Sequence, residues 1–247
     1  MLVLAAGALL LVHPWSGGAE GTEPDPSLAA IAPDVAGWLE DELPSDTPVT
    51  ASGGVRAALE GAGAGDRVGA AVQGALRVVE GEPAAGSLVL ARFQAPDGTS
   101  LSVVDPAPVP PTPEELDQRQ RLAAAVLANP VAGVTGRAAD TLRAGNVDAR
   151  LLGLLAGLVS RMDVHVADLP PATGEPADGT PPARRLLVDQ AGGQPLTPGS
   201  AATEDLVAFL EAQRPPFAPD TVEQTADGVR VGFHYASDPD AVVTAAT

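Results

Sequence analysis

The sequence predicts a chain of mixed α/β and α+β class: two small domains, each with helices packed on a small mixed sheet, after an apolar amino-terminal segment. Three observations predict it. Apolar patterns of helical and strand period alternate along the chain. A proline-rich stretch, PAPVPPTP at 106–113, divides them as an extended, semi-rigid linker. The 247 residues suffice for two ordinary domains.

The opening stretch, MLVLAAGALLLVHPWSGG, stands apart from both patterns. As a helix, Leu2–Val12 spans about 16 Å at ~1.5 Å per residue, against a hydrocarbon core of roughly 30 Å. It suits the apolar region of a secretory signal, with Gly17, Gly18 and Ala19 as small residues before Glu20. No Lys or Arg precedes it, which instead fits the end of a longer membrane helix. Residues 1–19 are thus expected to be a signal peptide or an anchor stump, followed by a polar spacer at 20–27.

The first domain is expected at 28–105. Val35, Trp38 and Leu39 share one helical face, and the pattern stops at Pro44. A strand in TPVTAS leads to a second helix, VRAALEGAG, and then to strands at 75–80, 87–93 and 99–105; Asp97-Gly98 turns between the last two. The acidic run at 40–42 closes the first helix, where carboxylates oppose the macrodipole.

The second domain is expected at 114–236, with a tail at 237–247. Thr112, Pro113 and Glu115 form a helix-start signature, and Leu116, Ala123, Val126 and Leu127 supply its buried face. A helix in RAADTLRAG stops at Gly145. The next, capped by Asp148, is apolar around most of its circumference and should be central to the core. Strands DVHVADL and RRLLVDQ, with PPATGEPADGTPPA (170–183) between them as a surface loop, precede a helix capped by Ser200. A hairpin turning at Asp227-Gly228 ends the domain, with Val229, Val231, Phe233 and Tyr235 on one face and His234 on the solvated one.

Composition excludes several chemistries. The 14 basic residues are all arginine and the 32 acidic ones bring the net charge to −18, which repels nucleic acid. Zero cysteines remove disulfides, thiol nucleophiles and thiolate metal sites. Without lysine there is no Walker-type loop, and the glycines of EGAGAGDRVG (60–69) miss the spacing of a dinucleotide fingerprint, reading as a helix end and loop. No G-x-S-x-G stretch occurs. Asp163 and His165, two residues apart on a strand, are the start of a metal-ligand pair without an identifiable third ligand. Arg214 and Phe217 flank a rigid Pro-Pro and form a recognition candidate; the competing reading ends a helix at Pro215 and sets Phe217 in the core. No cofactor is expected.

The stretches AGNVDARLLGLLAGLV and DLVAFLEAQRPPFAPDTV resemble a pattern in uncharacterised exported or membrane-anchored proteins of high-GC bacteria, over about residues 114–236. The resemblance implies localisation and no catalytic position. The expectation is an extracytoplasmic binding or accessory module, membrane-attached or secreted, with a membrane or cell-envelope protein as partner. The alternatives are the soluble part of a truncated polytopic membrane protein, or a cell-envelope glycan enzyme using two carboxylates across a cleft.

Overall fold

A computed structural model describes residues 25–176 and 180–245. The amino-terminal segment therefore lies outside the described residues. Among those described, no helix is long and apolar enough to cross a membrane.

The first half opens with α1, Pro26–Glu42, whose N-cap Asp25 accepts the Ser27 N–H at 2.8 Å, with proline in the first turn. The helix thus begins inside the stretch expected as spacer. β1 (Val49–Ala51) and β2 (Leu76–Glu80) pair in parallel, with α2 (Gly53–Gly61) crossing between them. β3 (Leu88–Gln94) and β4 (Ser100–Asp105) follow, giving a four-stranded sheet of order β1-β2-β4-β3. Leu28, Ile31, Val35, Trp38 and Leu39 of α1 are buried in this half's core.

The second half repeats that opening. The capping box of α3 (Pro113–Ala128) forms as expected, Thr112 and Glu115 satisfying one another's backbone N–H groups. β5 (Ala132–Val134) and β6 (Val164–Asp168) pair in parallel, separated by α4 (Gly136–Ala144) and α5 (Ala149–Val159). β7 (Arg185–Ala191), the two-residue β8 (Gln194–Pro195), α6 (Ala201–Glu211) and the hairpin β9 (Thr221–Thr225) and β10 (Gly228–Gly232) complete a sheet of order β5-β6-β7-β10-β9, with β8 beside β7. α5 is the core helix: Leu151, Leu152, Leu155 and Leu158 are at most 1% exposed.

Three elements differ from expectation. Residues 237–247 contain a helix, α7 (Pro239–Thr244), capped by Asp238 and tied to α3 by the Arg119–Asp240 ion pair. The described part of the 170–183 loop, expected as a surface loop, is docked on the first half. Gly174, at φ +79°, accepts the Arg92 N–H at 2.8 Å on the outer edge of β3, and a Cβ there would stand 2.9 Å from Phe93 Cζ. The face expected of the last strand also splits. Phe233 enters the core of the second half, whereas Tyr235 crosses into the core of the first.

Candidate functional site at the junction of the halves

The helix-end carboxylates at 40–42 conflict with the macrodipole locally, and tertiary contacts resolve the conflict. Arg67 reaches back from a 3-10 turn and donates from Nη2 to the carbonyls of Leu39 (2.8 Å) and Pro44 (3.0 Å), supplying a cation where α1 has no basic residue of its own. Glu42 is buried and pairs with two arginines at the start of β7: Arg184 Nη2 donates to its Oε2 at 2.6 Å, and Arg185 contacts its Oε1.

Arg184 is the centre of the junction. It is 2% exposed, pairs with Glu42 and with Glu175 from the docked loop, and lies 5.8 Å over the Trp38 ring. Burial pushes its guanidinium pKa down and the Glu175 carboxylate opposes the shift. Its Nε–H has no hydrogen-bond partner. Beside it the Tyr235 hydroxyl donates to Asp105 Oδ2 at 2.7 Å, and the Tyr235 N–H donates to the Glu42 carbonyl at 2.8 Å. Burial first, and then the Asp105 hydrogen bond, drive the phenol pKa up.

Two cavities flank this cluster. One is a groove of about 530 Å³ walled by Pro108, Val109, Pro110, Pro111, Pro181 and Pro182, with Arg184 and Tyr235 also lining it. The linker at 106–113 therefore forms a wall of the junction. The other, of about 640 Å³, lies between α1 and the outer face of the second sheet, and carries Asp34, Asp41, Arg185, Glu223, Arg230 and His234.

The residues singled out from sequence are dispersed. His165 does not meet Asp163, which precedes β6; its Nδ1 lies 2.6 Å from Asp189 Oδ1 on the neighbouring strand. Among the described residues no group of three or more His, Asp or Glu side chains is placed to hold a metal ion. Phe217 sits against α5, where a Cβ on Gly153 would come within 2.4 Å of its ring, while Arg214 is exposed. His234 lies on the outer face, opposite the core residues of the last strand, with its side chain 25% exposed and its Nδ1 3.4 Å from Asp220 Oδ1. Ser200 caps α6, and the 60–69 segment closes α2 through Ala62 and Ala64 N–H bonds to Ala58 and Leu59 carbonyls. The residues that sequence reasoning missed are Glu42, Asp105, Glu175 and Arg184. Their one legible trace was the unfavourable acidic end of α1.

Compared with family models, curated proteins and solved structures, the chain gives no match.

Proposed function

We propose that the chain is an extracytoplasmic binding module, membrane-attached or secreted, which holds a small, neutral, mostly apolar ligand in the proline-lined groove. One observation carries the reading: apolar, conformationally stiff proline walls enclose a groove of about 530 Å³ over the buried Tyr235 and the buried, ion-paired Arg184. The volume falls within the roughly 300–1,000 Å³ typical of small-molecule sites, and such sites pair apolar walls with few polar groups. Prolines have little freedom to lose on binding, so the groove is pre-organised. The ligand is neutral rather than anionic, because Glu42 and Glu175 already neutralise Arg184. The apolar opening stretch and the resemblance to exported proteins support the location outside the cytoplasm.

Octanamide, an acyl chain with a neutral carbonyl, is the probe. Saturable binding by ligand-observed NMR, lost in Val109→Asp with an unchanged melting temperature, supports the reading; no saturable binding to the parent protein refutes it. Membrane fractionation with intact-mass analysis from the native host tests the location. Recovery in the cytoplasmic fraction with Met1 retained would contradict it.

A further inference from the structure

We infer that the proline-lined groove is a clamp completed by the docking of the two halves, so that its occupant is held only while they are docked and in turn holds them together. The inference rests on the groove being the binding site. Leu88, which opens β3 of the first sheet, lines it, and so does the linker, which leaves that sheet at Asp105. Leu116, Pro181, Pro182 and Arg184 belong to the second half. Tyr235, also in the lining, is fixed by Asp105 and by the Glu42 carbonyl, both of the first half. Parting the halves therefore carries Leu88 and the Asp105 end of the linker away from Arg184 and frees Tyr235.

The junction is of a kind that parts. Each half has its own apolar core, and Tyr235 alone among the core residues crosses from one half into the other. Among the described residues, no helix or strand of the first half is packed at length against one of the second. The gap is spanned instead by polar bonds: Glu42 with Arg184 and Arg185, Tyr235 with Asp105 and the Glu42 carbonyl, and the Arg92 N–H with the Gly174 carbonyl. Polar interfaces leave domains free to move relative to one another, which a shared apolar core does not. Apolar surface that a ligand buries in the groove is exposed again when the walls separate. Binding and docking are thus coupled, and each favours the other by the same factor.

Amide hydrogen exchange on the full chain, with octanamide as the probe, measures the coupling. The Arg92 N–H is the reporter, because its acceptor lies across the junction and Arg92 does not line the groove. Leu101 and Val103 of β4, buried and central in the first sheet, are the reference. Arg92 should exchange faster than these two, through partings that leave the first sheet intact. Octanamide at ten times its Kd should slow Arg92 about tenfold. Glu42→Gln removes a bond of the junction without touching the groove and should speed Arg92 more than it speeds Leu101 and Val103; if that variant does not fold, the parent protein decides. Arg92 exchanging no faster than the reference amides, or indifferent to octanamide or to Glu42→Gln, overturns the inference. If the parent protein does not bind octanamide, the groove fails as the binding site and the clamp with it; binding that leaves Arg92 unslowed removes the clamp alone.

Discussion

Tyr235 and Asp105 join the two halves: the segment that follows the last strand of the second sheet donates its tyrosine hydroxyl to the carboxylate that ends the last strand of the first half, at 2.7 Å in a buried site. Asp105 Oδ1 accepts the Ala107 N–H at 2.9 Å, so the carboxylate also sets the start of the linker. Tyr235→Phe leaves Asp105 Oδ2 without its donor in a buried site. A loss of about 1–3 kcal/mol is expected in urea unfolding, and an unchanged midpoint would show that water already reaches the carboxylate.

Tyr235 is the single tyrosine of a chain with neither lysine nor cysteine, which makes its alkaline titration readable in isolation. Its folded pKa is raised above the unfolded value, by burial first and then by Asp105. The sign follows: its contribution to stability is complete below the unfolded pKa of about 10 and is lost as pH rises beyond it. Native protein should show no tyrosinate absorbance at about pH 11, the signal growing in only together with unfolding. Tyrosinate appearing in the folded protein near the ordinary phenol value would contradict the buried hydrogen bond.

Glu42 and Arg184 should be strongly non-additive. Removing one partner leaves an uncompensated buried charge, so Glu42→Gln and Arg184→Gln are each expected to cost about 3–5 kcal/mol. The double variant should cost less than the sum of the two, by up to about 3 kcal/mol. A double-mutant cycle by denaturant unfolding measures this, and simple additivity would mean the two do not act as a pair.

Leu155, fully buried in α5, tests the core of the second half. Leu155→Asp places an unpaired carboxylate there and should abolish the cooperative unfolding of that half. A melting curve matching the parent would refute the core assignment.

Phe217 and Arg214 should separate. Phe217→Ala, which removes the ring packed on Gly153, should lower stability by about 1–3 kcal/mol, whereas exposed Arg214→Ala should stay within about 0.5 kcal/mol. Equal, negligible effects would return Phe217 to the role of a recognition residue.

Much of the fold was legible because its signals are local. The capping box at Thr112–Glu115, the turn at Asp97-Gly98 and the apolar circumference of α5 each lie within a few neighbouring residues. β5 is three residues long with a glycine at its centre, too short to show a period, and α7 hides in a polar segment whose cap, Asp238-Pro239, was its one clue. The junction was illegible for a different reason. Glu42 and Arg184 are 142 positions apart, and each looks like an ordinary surface charge in its own neighbourhood. Only the misfit between the acidic run and the end of α1 pointed beyond the local sequence, and local misfits of this kind mark places where tertiary structure overrides propensity.

The latch at Glu42 also has a mechanical meaning. α1 is the first described element after the apolar stretch, and Glu42, at its far end, is held through its carboxylate by β7 and through its carbonyl by the Tyr235 N–H. A pull applied at residue 25 would load the first half through the packed face of α1 and would reach the second sheet directly through these bonds, without passing through the linker. Tension from a tether would load both halves together, with the proline-lined linker slack.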